Sequence, residues 1–197
     1  MLKLVDGVCL IGLAGMKGSG KTTAAETIQR NYFSYRVVNF ADPLKEGVCA
    51  MFGWTLAVLN DPKLKETVDS RLGFSPRKAM QVIGTDAVRN ILGERTWEKL
   101  LYSKLMELTA SGHDKIIVGD IRFETEAALI RTLGGLVIHV EAHNFPEKEQ
   151  LDSHASEQVL SMHSLDKVWR NTFTPGGVRD TSDLVRLVFE WQLSIPE

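Results

Sequence analysis

Residues 15–22 read GMKGSGKT, and this octapeptide restricts what the chain can fold into more than any other stretch. It fits the pattern G-x-x-x-x-G-K-[ST], whose glycines permit a tight turn with backbone N–H groups pointing inward on a polyphosphate. The flanks supply the setting that the pattern needs. Residues 8–14, VCLIGLA, form an apolar run bounded by Gly7 and Gly15, as expected of a buried strand, and TTAAETIQRNYF after the loop reads as a helix. A strand that feeds a glycine turn at a helix N-terminus places the positive end of the helix dipole beneath the turn. Gly15, Lys17, Gly18, Ser19, Gly20, Lys21, Thr22 and Thr23 are therefore the expected triphosphate cradle, with Lys21 on the β- and γ-phosphates and Thr22 on Mg²⁺.

Composition narrows the class. A chain of 197 residues, 44% hydrophobic, can bury a sizeable core as one domain spanning residues 1–197. A formal net charge of −2 gives no broad basic field for nucleic acid or an anionic membrane, so positive charge has to be concentrated locally, as in a phosphate cleft. Cys9 and Cys49 form no CxxC pair and read as buried thiols in a reducing compartment, without a disulfide. The N-terminal MLKLVDG lacks a basic flank followed by a long apolar run, and no stretch nears the length that spans a bilayer. The expectation is a cytoplasmic protein.

Along the chain, strand-like and helix-like segments alternate, which predicts a parallel sheet with helices on both faces. YRVVNFA (35–41) reads as the second strand, ending at Asp42-Pro43, with Asp42 as N-cap of the helix LKEGVCAMF. Residues 54–74 read as a surface excursion with a short helix. SPRKAMQVIGTDAVRNIL follows as a helix capped by Ser75, then TWEKLLYSKLMELTAS, opened by Thr96, with Trp97, Leu101, Leu105 and Leu108 on a core-facing stripe. DKIIVGD (114–120), the helix FETEAALIRTLG, LVIHVEA (136–142), a polar mobile stretch, KVWRNTF and a closing helix SDLVRLVFEWQLSI complete a five-stranded, three-layer α/β/α arrangement. In such sheets ligands bind at the carboxyl ends of the strands.

Asp120 follows IIVG at one of those ends, where an acidic residue holds Mg²⁺ through its water shell; a helix N-cap is the competing reading. Arg122 is placed to face the phosphates, the alternative being an ion pair with Glu124 or Glu126.

Taken together, GMKGSGKT, NFADPLKE, GTDAVRNILGERTWE, VGDIRFETEA and DSHASE resemble the deoxynucleoside monophosphate kinases of tailed bacteriophages, a nucleoside monophosphate kinase-like branch of the P-loop enzymes. The resemblance runs from about residue 8 to 172. It implies transfer of the γ-phosphoryl group of ATP to a deoxynucleoside 5′-monophosphate with Mg²⁺ as cofactor, and nucleotides as the only partners required, with a homodimer compatible. Catalytic roles fall to Lys21, Asp120 and Arg122. The acceptor side falls to Asp42 and Lys45 of ADPLK and to Arg77, Gln81, Thr85, Asp86 and Arg89, of which 77, 81, 85 and 89 share a helical face within an acceptor-binding region of about 54–112. Arg77 and Arg89 would grip the 5′-phosphate, although an ordinary solvated face has the same spacing. Trp97 is open to base stacking or to the core. DSHASE resembles a lid segment, about 143–160, with His154 and Glu157 fixing its closed form, while a metal site from His143, His154 and His163 is the alternative use of those histidines. Asn171 and Thr172 are candidates for edge contacts to adenine.

A GTPase would carry NKxD and DxxG, and neither occurs here. The remaining alternatives are a small-metabolite kinase of the phosphomevalonate kinase type and a non-kinase P-loop ATPase.

Overall fold

The computed structural model describes residues 7–16, 18–142, 160–164, 166–172 and 180–195. The chain gathers into two compact units, Met1–Asn39 with Tyr102–Glu197, and Phe40–Leu101.

The first unit is built on the strands β1 (Cys9–Ala14), β2 (Arg36–Val38), β3 (Lys115–Ile121), β4 (Leu136–Ala142) and β5 (Lys167–Asn171). All pair in parallel, in the order β2-β3-β1-β4-β5. On one face, Ile11, Leu13, Ile117, Ile138, Val140 and Trp169 pack with Ala24, Ala25 and Ile28 of α1 (Lys21–Asn31) and with Leu184 and Val188 of α7 (Ser182–Leu193). Removing each large aliphatic side chain from water contributes about 1.5–3 kcal/mol. Helix α6 (Glu124–Thr132) covers β1 and β4. Gly12 makes room on β1, since a Cβ there would run into the Ile121 and Ile130 side chains. The fold is thus the expected three-layer α/β/α arrangement. β1 is central: the chain leaves it toward β2, returns to β3 and then crosses to β4, so the loop after β1 opens at a topological switch point.

Boundaries shift where side chains take over main-chain hydrogen bonds. β2 covers only residues 36–38 rather than 35–41; at its start the Tyr35 carbonyl accepts from Gln29 Nε2 at 3.0 Å and the Tyr35 ring is buried in the core. Helix α2 (Asp42–Phe52) is capped by Ala41, not by Asp42. Asp42 is its first helical residue, where its charge favours the helix dipole without capping it.

The second unit contains α2, α3 (Leu56–Asn60), a 3₁₀ turn at Leu64–Glu66 and α4 (Pro76–Gln81), which continues as π-helical turns over Val82–Leu92. Residues 54–74 are more than a surface excursion. Trp54, Val48, Leu59 and Ala79 form a small core, and Trp54 Nε1 donates to Asp69 Oδ2 at 2.7 Å. Ser75 caps α4 as expected, its Oγ accepting from the Lys78 N–H at 3.2 Å. The wider turns were not expected from a sequence that reads as one α-helix. They fall where Gly84 is crowded: a Cβ there would stand 2.7 Å from Leu44 Cδ2, and its carbonyl accepts from Trp97 Nε1 at 2.8 Å. Trp97, Leu101 and Leu105 of α5 (Thr96–Ala110) are buried, which settles Trp97 as a core residue.

Candidate active site

The glycine loop closes between β1 and α1 as its sequence requires. Gly15 has φ 143°, and a side chain there would press on the Val140 carbonyl oxygen at 2.5 Å and Ser19 Oγ at 2.8 Å. Gly20 stands at φ 105° as the residue before α1, and its carbonyl accepts from Ala24 at 2.9 Å. Lys21 folds back over the turn, with Nζ donating to the carbonyls of Gly15 at 2.5 Å and Met16 at 2.9 Å. No acidic residue lies in the first turn of α1, so nothing there opposes an anion at the helix N-terminus. Thr22 is exposed and Thr23 half-buried, while Gly18 is exposed at φ 74°. Lys17 lies outside the described residues.

Asn171, the last residue of β5, is fully buried beside this loop. Its Nδ2 donates to the Ser19 carbonyl at 2.9 Å. The side chain therefore faces the phosphate loop. Thr172 follows it, half-buried.

Asp120 and Arg122 sit at the carboxyl end of β3. Pairing with β1 runs Gly12 to Val118 and then Ala14 to Ile121, so β3 holds one extra residue around Gly119 and Asp120. Such bulges re-aim side chains near sites. Asp120 is half-buried within the strand and is not a helix cap; α6 is preceded by Phe123 instead. The donors at that helix end go to Glu126, buried, whose Oε2 accepts from the N–H of Arg122 at 2.8 Å and of Phe123 at 3.1 Å. Glu126 thus fixes the backbone that carries Arg122, a role signalled in the sequence by a glutamate at the third helical position. Glu124 pairs with Arg131 Nη1 at 2.5 Å.

In the second unit, Lys45 Nζ donates to Asn60 Oδ1 at 2.8 Å. Arg77, Gln81 and Thr85 are half-buried and Asp86 exposed. Arg89 differs from them, being only 7% exposed, with Nη1 donating to the Glu94 carbonyl at 3.1 Å and lying 3.6 Å from Glu98 Oε1. Burial is what sets Arg89 apart from the other three, in a segment whose turns are closed by i→i+5 bonds, as Gly93 N–H to Val88 O at 3.1 Å. Glu98 went unnoticed in the sequence although it lies at i, i+3 and i+7 with Leu101 and Leu105, a carboxylate on an apolar stripe.

A second buried charge cluster was also missed. The Asp166 carboxylate takes a fork from Arg131, Nε at 2.9 Å and Nη2 at 2.7 Å, with His139 Nε2 at 2.8 Å and the His163 N–H at 3.0 Å. Burial pushes the Asp166 carboxyl upward, but the hydrogen bonds from Arg131, His163 and His139 outweigh it and hold the group at about 2. His143, His154 and Glu157 lie outside the described residues. Among the described residues, no group of three or more His, Cys, Asp or Glu side chains is placed to hold a metal.

Comparison with known proteins adds the context. The family model for deoxynucleotide monophosphate kinase matches residues 56–174. A protein of Acanthamoeba polyphaga mimivirus to which that activity is ascribed is 36% identical over 188 residues, covering 84% of this chain and 89% of its own length. The deoxynucleotide monophosphate kinase of Escherichia phage RB69 is 30% identical over 145 residues, 73% of this chain and 56% of that longer protein. Among solved structures, a Chloroflexus aurantiacus protein regarded as a kinase superposes with a TM-score of 0.54 at 15% identity, covering 98% of this chain and 100% of that one, a likeness of fold alone.

Proposed function

We propose, on the premise that this chain belongs to the deoxynucleotide monophosphate kinase family, how its own residues transfer the γ-phosphoryl group of ATP to a deoxynucleoside 5′-monophosphate. The observation that carries the reading is the loop of residues 15–22, with Lys21 held over it by two carbonyls and the N-terminus of α1 beneath it. The backbone N–H groups and the helix dipole take the β- and γ-phosphates, and Lys21 exchanges its carbonyl partners for phosphate oxygens. Arg122, on the backbone that Glu126 fixes, neutralises charge developing on the transferring group.

Thr22, in the first turn of α1, and Asp120, at the carboxyl end of β3, offer a hydroxyl and a carboxylate, hard oxygen donors that suit Mg²⁺, which keeps most of its coordination for water and phosphate. When bound, the ion would offset the charge of the β- and γ-phosphates. Arg77, Arg89 and Lys45 are the cations of the acceptor side, with Asp42, Gln81, Thr85 and Asp86 around the nucleoside. An oxygen of the acceptor's 5′-phosphate forms the new bond to the γ-phosphorus, and the bond from that phosphorus to the β,γ-bridging oxygen breaks, giving ADP and the deoxynucleoside diphosphate. A phosphate monoester is ionised at neutral pH, with a second pKa of about 6, so no general base is needed. Free Cys9 and Cys49 fit the cytoplasm as the place of this reaction.

The experiment is a coupled ADP-release assay over the four deoxynucleoside monophosphates and their ribose counterparts. The reading requires turnover of at least one deoxynucleotide that depends on its presence. ADP release that is independent of any monophosphate would indicate a simple ATPase.

A further inference from the structure

We infer that Asn171 is a positioning residue of the phosphate loop, setting the direction of a loop N–H toward the triphosphate from the neighbouring strand β5. The inference rests on the kinase reading above and deepens its donor site.

Four observations carry it. The Asn171 side chain is 0% exposed and its Nδ2 donates to the Ser19 carbonyl at 2.9 Å, across 152 positions of sequence. The amide orientation follows from that bond, since the reversed amide would bring two acceptors together. Gly20 is shaped to this neighbour: any Cβ there would overlap the Asn171 amide, so the loop and the asparagine are closed against each other at that point. Finally, Asn171 Oδ1 and Ser19 Oγ are both buried without a hydrogen-bond partner among the described residues. Buried polar atoms of this kind are rare, and they mark a place that a water or a bound group completes.

The consequence follows from the planarity of the peptide. Ser19 C=O and Gly20 N–H belong to one trans peptide unit and point in opposite directions. Holding the carbonyl toward β5 therefore turns the Gly20 N–H away from β5. Without Asn171, this peptide plane turns about ψ of Ser19 and φ of Gly20, a glycine already at positive φ and cheap to rotate, and a rotated plane would present a carbonyl oxygen to the phosphates in place of a donor. An adenine-edge role predicts something different, because it involves the base and not the phosphates.

The test compares wild type with Asn171→Asp, which keeps the shape but removes the donor, and Asn171→Ala, which removes both, using inorganic tripolyphosphate as a probe that carries no base. Dissociation constants are measured by calorimetry for tripolyphosphate, ATP and a deoxynucleoside monophosphate, on variants whose cooperative melting shows them folded. Tripolyphosphate and ATP should weaken together by about tenfold in both variants, the equivalent of one buried hydrogen bond, with the monophosphate unchanged. Unchanged tripolyphosphate binding in either folded variant overturns the inference, and loss of ATP binding alone returns Asn171 to the base. Equal weakening of all three ligands overturns it in favour of a general structural role. If wild type itself fails to bind tripolyphosphate, the donor-site reading fails, which is a separate outcome. Should Asn171→Asp not fold, Asn171→Ala alone decides.

Discussion

Arg89 Nη1 lies 3.6 Å from Glu98 Oε1, and both side chains are almost wholly withdrawn from solvent. Neither Glu98 oxygen has a hydrogen-bond partner among the described residues, so Arg89 supplies the positive charge that this carboxylate faces. The pair joins the π-helical end of the segment 82–92 to the first turn of α5.

An Arg89→Ala variant should therefore lose stability as well as acceptor affinity. Removing one partner of a buried pair costs about 3–5 kcal/mol because the other charge is left uncompensated. Adding Glu98→Gln to Arg89→Ala should recover most of that loss in a urea titration. The double variant then isolates the proposed role at the 5′-phosphate. Its KM for the deoxynucleotide should stay about tenfold or more above wild type, as expected for a lost charge-assisted hydrogen bond, with KM for ATP within about twofold. A double variant with normal KM for both substrates would make Arg89 purely structural and move the acceptor phosphate toward Arg77 and Lys45.

Lys21→Ala should lower kcat by about 10²–10³-fold, the usual loss when one preorganised charge contact to a transition state is removed. Lys21 also ties the Gly15 and Met16 carbonyls, but it is only half-buried, so the melting temperature should change little. Near-normal turnover in the folded variant would contradict the donor site as drawn.

The central part of this molecule was legible because its chemistry is local. A strand, a glycine turn and a helix start are contiguous in residues 9–31, and the period of the apolar residues places β3, β4, α5 and α6 within a residue or two of their observed bounds. What could not be read depends on partners remote in sequence. The contact of Asn171 with Ser19 arises only through the pairing of β4 with β5. The π-helical turns coincide with Leu44 and Trp97 meeting at Gly84, a relation across some fifty residues that no helical periodicity contains. Asp166 gave no signal at all, since Arg131 and His139 lie 35 and 27 positions before it.

Asp120→Asn keeps the shape of a half-buried side chain at the β3 bulge and removes its charge. Where the carboxylate acts on Mg²⁺ through water, the half-saturating Mg²⁺ concentration should rise by about 10- to 100-fold, the range found for groups that support a metal from outside its direct ligands. Activity titrated against Mg²⁺ at saturating ATP gives the answer. An unchanged curve would leave Asp120 with a structural role only.

The last expectation concerns acid. Asp166 is held at about 2 against an ordinary 3.8, because the bonds from Arg131, His163 and His139 outweigh the cost of its burial. A carboxyl whose folded pKa lies below its unfolded one stabilises the fold fully above the unfolded value, and that contribution disappears as pH falls through the folded value. The shift corresponds to about 2 kcal/mol, present above about pH 4 and lost progressively toward pH 2. Asp166→Asn cannot ionise, so urea unfolding of the two proteins should show a gap that is constant from pH 6 to 4 and narrows by about that amount below pH 4. Because Arg131 belongs to α6, His139 to β4 and Asp166 to the residue before β5, the same loss should weaken the edge of the sheet carrying β5 first. Hydrogen exchange at pH 3 should then rise in Val168 and Trp169 ahead of Ile11 and Ile117 in the central strands. A gap that stays constant down to pH 2 would mean that the ionised carboxylate is not what Arg131 and His139 hold in place.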